Sequence, residues 1–169
     1  MMRAFILSAL IALAGCAVKP APSLSGSESV QVIGRVSLTH DGRRDAGGFD
    51  YRGSPTQQSW TLYGPTGTRV GELSAQSTGA RWTPEDGPAL QADNLDELVM
   101  DAIGVAAPLA SAKDWLFGRV PTGASPTPAG FTLRGWELRW LKYNDAGQPR
   151  LIEMTRGTTR IRLVAKTWQ

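Results

Sequence analysis

The hydrophobic and polar positions of this chain alternate with a period of two over much of its length. In residues 30–39, "VQVIGRVSLT", the side chains of Val30, Val32, Val36 and Leu38 share one face, which is the pattern of a half-buried strand. Shorter stretches bounded by Gly, Pro, Asn and Asp repeat the pattern. It predicts further strands near residues 47–52, 57–63, 68–75, 79–83, 136–143, 150–156 and 159–168.

Helical periodicity is confined to the middle of the chain. In "DNLDELVMDAIG", Asn94 is placed as an N-cap with Glu97 three residues later, and Gly104 ends the segment. The apolar residues between them fall on one stripe, formed by Leu95, Leu98, Val99 and Ile103. A second short helix is predicted to end near residues 117–118. An amphipathic helix buries its stripe, so we expect this insert to cover the sheet.

The turns between the strands indicate how the sheet is connected. Asp41-Gly42 predicts a two-residue hairpin, and Gly64-Pro65-Thr66-Gly67 predicts a tight, protruding turn. Closely spaced strands with hairpin turns favour one antiparallel sheet that curves toward a barrel, with the helical insert at its mouth. Periodicity leaves open whether such a barrel is hollow or filled.

The N-terminal residues predict export and lipidation. Residues 4–14 are apolar, follow Arg3 and would span only about 16 Å as a helix, which is typical of a signal peptide. The following "LAGC" resembles the lipobox of bacterial lipoproteins, which implies that Cys16 carries the lipid. We therefore divide the chain into a signal peptide (1–15), a lipidated N-terminus with a flexible tether (16–29) and one domain (30–169). A chance cysteine behind an ordinary signal peptide is the alternative.

Composition excludes several kinds of chemistry. Cys16 is the only cysteine, so its lipidation would leave no thiol for a disulfide, a nucleophile or a metal site. The only histidine, His40, lies beside the predicted 41–42 turn. No catalytic, phosphate-binding or metal motif appears, and a formal net charge of +3 is too small to indicate nucleic-acid binding. We expect a non-enzymatic protein without cofactor or metal.

Five segments, taken together and in order, resemble the LolB family of outer-membrane lipoproteins. They are "VIGRVSL", "WTLYGPTGTRVGELSA", "DNLDELVMDAIGVAAPLASAKDWLFGRVP", "GWELRWLKY" and "RIRLVAKTWQ", and the resemblance runs from about residue 30 to residue 169. It implies an unclosed antiparallel barrel with a helical lid over an apolar cavity that holds acyl chains. It also implies a monomer on the periplasmic face of the outer membrane; Ala17, rather than Asp, after the anchor agrees with that membrane.

The implied function is the transfer of lipoproteins. The family receives other lipoproteins from the soluble carrier LolA, which shares the fold, and inserts them into the outer membrane. The partners implied are therefore the carrier, the acylated N-termini of clients and outer-membrane lipid. The turn of Gly64, Pro65, Thr66 and Gly67 would insert into the membrane. The residues expected to line the acyl-chain cavity are Val36, Leu38, Trp60, Leu62, Leu98, Trp115, Leu116, Trp140 and Leu163.

Two departures from the family pattern affect these expectations. Thr66 stands where the family carries an exposed leucine in the turn, which implies weaker membrane insertion unless Tyr63 or Val70 compensates. The segment between Pro121 and Trp136 is shorter than the family pattern. A missing or reduced hairpin strand there would widen the open side of the barrel.

Several alternatives remain on the sequence alone. The 64–67 turn could be only a hairpin connection, and an enzyme would need His40 or an Asp/Glu pair in a cleft. The domain could be a membrane-tethered scaffold of the cell envelope with a filled β core and no cavity. Arg43, Arg44 and Arg69 could form part of a positively charged contact with the carrier or simply a solvated surface.

Overall fold

The computed structural model describes residues 29–169. Cys16 and most of the predicted tether lie outside the described residues. In the part of the chain that is described, none of the helices is long and apolar enough to cross a membrane.

Within residues 29–169, eleven antiparallel strands form one continuous sheet. In chain order they are β1 (Val30–His40), β2 (Arg43–Gly53), β3 (Gln57–Tyr63), β4 (Arg69–Gln76), β5 (Gly79–Pro84), β6 (Leu90–Ala92), β7 (Ser125–Thr127), β8 (Gly130–Leu133), β9 (Trp136–Tyr143), β10 (Pro149–Arg156) and β11 (Thr159–Trp168). Their spatial order is β6-β5-β4-β3-β2-β1-β11-β10-β9-β8-β7. The first and last strands thus pair in the middle of the sheet, and β6 and β7 are the edge strands of an unclosed barrel.

The predicted β1–β2 hairpin is confirmed. Asp41 and Gly42 both have positive φ, 46° and 80°, as a two-residue turn of the favoured hand requires. The register places Val36 opposite Gly47 and Leu38 opposite Asp45. The β3–β4 hairpin follows, and Tyr63 pairs with Arg69 across the 64–67 turn.

The helical insert connects the two edges of the sheet. Helix α1 (Leu95–Ile103) begins as predicted, since the Asn94 side chain accepts a hydrogen bond from the Glu97 backbone N–H, and it ends at Gly104 in the left-handed conformation. A 3-10 turn (Leu109–Ser111) and a short helix α2 (Ala112–Trp115) follow. The second helix therefore ends slightly earlier than the sequence predicted.

Three strands of the sheet were not predicted. β6, β7 and β8 have only three or four residues each, too few to show alternation, and β7 contains Pro126. Strands β7 and β8 form the hairpin between Pro121 and Trp136, so this hairpin is reduced in length but present.

Candidate functional site

An apolar cavity of about 490 Å³ lies between the inner face of the sheet and the helical insert. Ligand pockets in proteins commonly have volumes of about 300–1,000 Å³. The cavity wall has contributions from the sheet, the insert and the 64–67 turn. Its lining residues are Val36, Leu38, Arg44, Asp45, Ala46, Gly47, Gly48, Phe49, Trp60, Leu62, Tyr63, Gly64, Pro65, Val70, Val99, Ile103, Val105, Ala107, Leu109, Met154, Ile161 and Leu163.

Two glycines of β2, Gly47 and Gly48, border the cavity. Gly47 pairs with Val36, and a Cβ at Gly47 would overlap the Tyr63 carbonyl oxygen. The chain therefore needs glycine there for β2 and β3 to approach closely. Gly47 therefore borders the cavity with its backbone alone, beside Val36.

Helix α1 and the segment after it form the opposite wall. Val99 and Ile103 line the cavity from the helix, and Val105 and Leu109 line it from the segment that follows. Val99 is fully buried, whereas Ile103 is 38% exposed. The lining thus runs from the core to the surface along a single helix face.

The structure brings five of the nine predicted cavity residues to the cavity wall: Val36, Leu38, Trp60, Leu62 and Leu163. The other four lie elsewhere. Leu98, Trp115 and Leu116 are fully buried in the core, and Trp140 packs edge-on against Phe131, with ring centroids 5.7 Å apart. Leu98 shares the predicted helix stripe with Val99, but sequence alone could not show which of the two faces a void.

Several lining residues were absent from the sequence prediction. Phe49, Met154 and Ile161 line the wall from the sheet. Ile161 alternates with exposed arginines just as Leu163 does, so the same alternation could have identified it. Phe49 lies in a glycine-rich stretch and offers a weaker signal.

Two tryptophans of β9 join the insert to the sheet, and a third forms a hydrogen bond within the insert; none of the three lines the cavity. The indole nitrogen of Trp136 donates to the Ala106 carbonyl at 2.7 Å, and that of Trp140 donates to the Trp115 carbonyl at 2.8 Å. Trp115 donates to the Pro108 carbonyl at 3.0 Å. These hydrogen bonds satisfy backbone carbonyls of the insert that lie outside regular helix or at a helix end. They hold the helical wall of the cavity in place.

Aromatic rings form the inner end of the cavity. Trp60 contacts Tyr51, Phe49 and Trp115, with ring centroids 4.8, 5.6 and 6.0 Å apart. The Tyr51 hydroxyl and the Trp60 indole nitrogen are buried without a hydrogen-bond partner among the described residues. Burial, with a smaller contribution from Asp114, raises the pKa of Tyr51, so the phenol is neutral at physiological pH.

The 64–67 turn projects from the rim of the cavity. Gly64 and Pro65 belong to the lining, whereas Thr66 and Gly67 are exposed. The Gly64 N–H donates to the Thr68 carbonyl at 2.8 Å, and the Gly67 N–H donates to the Gly64 carbonyl at 3.0 Å. Gly67 has a φ of 89°, which favours glycine. The exposed Val70 completes an apolar path from the turn into the cavity.

Of the charged residues singled out in the sequence, Arg69 and His40 have side-chain partners, and Arg44 lies at the cavity wall. Arg69 forms ion pairs with Glu85 at 2.8 Å and with Glu72 at 3.3 Å. The hydrogen bond to Glu85 raises the pKa of Arg69. His40 Nδ1 lies 2.7 Å from the Thr159 hydroxyl, so it connects two neighbouring turns. Among the described residues, no cluster of three His, Cys, Asp or Glu is arranged to hold a metal ion.

The fold defines the class of protein first. It matches the crystal structure of a LolA superfamily protein from Nitrosomonas europaea with a TM-score of 0.54 over 86% of this chain and 87% of that one. At 9% sequence identity the likeness is one of fold alone: an unclosed antiparallel barrel of the LolA type with a helical insert.

Sequence comparison then gives the family. The family model described as "Outer membrane lipoprotein LolB" matches residues 28–168. The chain is 33% identical to the outer-membrane lipoprotein LolB of Bordetella petrii, over 98% of this chain and 90% of that protein. It is 27% identical to that of Chromobacterium violaceum, over 99% and 98%. The chain belongs to the LolB family.

Proposed function

We propose that this protein receives lipoproteins at the outer membrane and passes them to the bilayer, holding their acyl chains in the cavity during transfer. The observation that carries the proposal is the cavity itself. Its wall is almost entirely apolar, and it continues to the surface at the exposed 64–67 turn. Membership of the LolB family agrees with this function and with a periplasmic carrier of the LolA type as donor.

The transfer needs no covalent chemistry. Each CH₂ group of an acyl chain exposed to water costs about 0.8 kcal/mol, so the chains move between apolar environments without entering water. A cavity that binds them more tightly than the carrier, and less tightly than the bilayer, makes both steps favourable. The two charged lining residues, Arg44 and Asp45, lie near the start of β2, close to the exposed β1–β2 turn.

The proposal includes a lipid anchor on Cys16. Two or three acyl chains at that residue would hold the protein permanently at its membrane, beside the destination of its cargo. The 64–67 turn would then provide the contact with the bilayer at the cavity rim. Its tip in this chain is Thr66, which is polar and exposed, so this contact depends on the neighbouring apolar residues, above all Val70.

A cell-envelope scaffold is the alternative from another class of proteins. A scaffold needs only a filled core, and the open 490 Å³ void favours transfer. Depletion of the protein in its native organism, followed by membrane fractionation, tests the choice. Transfer predicts that lipoproteins are lost from the outer membrane and accumulate with the carrier. Normal lipoprotein localisation after depletion would refute the proposal.

A further inference from the structure

A group of arginines covers the outer face of the sheet, on the side opposite the cavity. Arg160 and Arg162 alternate along β11 with the buried Ile161 and Leu163. Arg35 and Arg139 are exposed between inward-facing residues of β1 and β9. We call Arg35, Arg139, Arg160 and Arg162 the basic face.

Strand register brings these four side chains together. Arg139 pairs with Glu153 in β10, and Glu153 pairs with Arg162 in β11. Arg35 lies in the next row of β1, where it pairs with Val164. Neighbouring strands are about 4.8 Å apart, so the basic face is a compact patch. The residues come from three distant parts of the sequence, and the net charge of the chain does not reveal the patch.

Two carboxylates border these arginines: Glu137, which is exposed two residues before Arg139 on β9, and Glu153, which is largely shielded. Glu153 is buried, and its carboxylate lies 2.6 Å from Arg162 Nε and 3.8 Å from Arg160 Nε. Arg35 and Arg139 make no ion pair with another described residue. Four acidic residues also lie at the start of the helical insert, at Asp93, Asp96, Glu97 and Asp101.

The basic face lies close to the 64–67 turn. Arg35 pairs with Gly48, and Gly48 pairs with Tyr63, the residue before the turn. Two strand spacings place Arg35 and Tyr63 about 10 Å apart. Gly48 adds no side chain between them, and Tyr63 Cβ lies 3.4 Å from the position that a Gly48 Cβ would take. The row thus combines an arginine, a bare backbone position and a tyrosine, and tyrosine is enriched where membranes meet water.

We propose that the basic face is a docking surface for the anionic headgroups of a lipid bilayer, and that it tilts the domain so that the 64–67 turn meets the same bilayer. Arginine pairs well with phosphate because its planar guanidinium offers several donors. The face is formed by the outer side of neighbouring strands, and Ile33, Leu151 and Val164 lie among the arginines as partly exposed aliphatic residues. This docking proposal rests on the proposed function in one respect only, namely that the chain works at a membrane.

Vesicle sedimentation of a lipid-free form tests this docking surface. The mature chain carrying Cys16→Ala is suitable, since all residues of the hydrophobic core lie between Val32 and Ala165. Its binding is compared on vesicles of phosphatidylcholine alone and of phosphatidylcholine mixed equally with phosphatidylglycerol. We expect binding to the anionic vesicles that weakens as salt is added, and weaker binding to phosphatidylcholine. Equal binding to both vesicles would overturn the proposal.

Matched triple variants then locate the surface. One variant combines Arg35→Gln, Arg139→Gln and Arg160→Gln, and leaves Arg162 to hold Glu153. The control removes the same charge elsewhere with Arg52→Gln, Arg81→Gln and Lys113→Gln, all at exposed positions. Since a basic residue near an anionic surface contributes about fivefold in affinity, the first variant should bind about a hundredfold more weakly at low salt. The control should bind within about threefold of the parent chain.

Other outcomes contradict the docking surface. Equal losses in the two triple variants would show a general effect of net charge. Unchanged vesicle binding, with loss of cargo transfer from the LolA-type carrier, would show that the face binds an acidic protein instead. If the first triple variant fails to fold, the single variants Arg35→Gln and Arg139→Gln replace it. Binding of an acylated peptide, measured in parallel, should be unaffected; its absence in the parent chain would instead count against the proposed function.

Discussion

Asp96 in helix α1 and Arg134 in the β8–β9 turn form an ion pair, with 2.6 Å between Oδ2 and Nη1. The other Asp96 oxygen accepts a hydrogen bond from the Ala110 N–H at 3.0 Å. One carboxylate thus joins the first turn of α1, the segment after it and the sheet. It is the charged connection between the cavity's helical wall and the edge of the barrel.

Loss of this ion pair should loosen the helical wall more than it lowers global stability. Arg134 is 72% exposed, and exposed ion pairs contribute about 0–1 kcal/mol. We expect Arg134→Ala to change the midpoint of thermal unfolding little and to speed amide hydrogen exchange in α1. Arg150→Ala, at an exposed position in β10, is the control. Unaltered exchange in α1 would show that the pair does not hold the wall.

Gly47 should tolerate no side chain, whereas the adjacent Gly48 should accept alanine. A Cβ at Gly47 overlaps the Tyr63 carbonyl oxygen, but at Gly48 the nearest atom is 3.4 Å away. Forced overpacking costs about 1–3 kcal/mol. Urea unfolding of Gly47→Ala should show a loss of that size, with Gly48→Ala close to the parent chain. Equal stability of the two variants would mean that β2 and β3 can separate at no cost.

Tyr51→Phe should stabilise the domain and change its response to alkali. The hydroxyl is buried without a hydrogen-bond partner in residues 29–169, and removal of such a group relieves about 1 kcal/mol. Burial raises the pKa of the folded phenol above its ordinary 10.0. Below pH 10 the phenol is neutral in both the folded and the unfolded chain, so the full stability of the fold is present. Above pH 10 the unfolded phenol ionises first, and stability is lost as the pH rises further. The parent chain should therefore lose more stability than Tyr51→Phe above pH 10.

Unfolding titrations at pH 7 and above pH 10 measure this difference. Tyr143→Phe is the control. Tyr143 is 53% exposed, so removal of its hydroxyl should change stability little at pH 7. Parallel alkaline curves for the parent chain and Tyr51→Phe would contradict the buried, neutral phenol.

Thr66→Leu should strengthen contact between the 64–67 turn and membranes. A leucine at the exposed tip would bury its side chain in the bilayer, and such burial is worth about 1.5–3 kcal/mol. Vesicle flotation of the lipid-free chain should show about tenfold tighter binding or more. Thr56→Leu, in the β2–β3 turn at the other end of β3, should change binding less. An equal gain from both substitutions would exclude a special role for the 64–67 turn.

Much of the fold could be predicted from local patterns. Alternation identified the long strands, and the Asn94 cap with Gly104 bounded helix α1. Strands β6 to β8 were not predicted, because a strand of three or four residues is too short to show alternation. The site was harder to predict, since a buried side chain in the core and one facing a void carry the same signal. Leu98 and Val99 are neighbours on one stripe, yet only Val99 lines the cavity. The basic face could not be predicted from the sequence, because it depends on the register between strands that are distant in the chain.

Saturable binding of an acylated peptide by the lipid-free chain tests the central claim most directly. Val36→Trp places a large ring in the cavity, whereas Ile33→Trp places the same ring on the outer face of the same strand. The account predicts that the parent chain and Ile33→Trp bind the peptide alike, and that Val36→Trp binds at least about tenfold more weakly at similar stability. Absence of saturable binding by the parent chain, or equal binding by Val36→Trp, would contradict it.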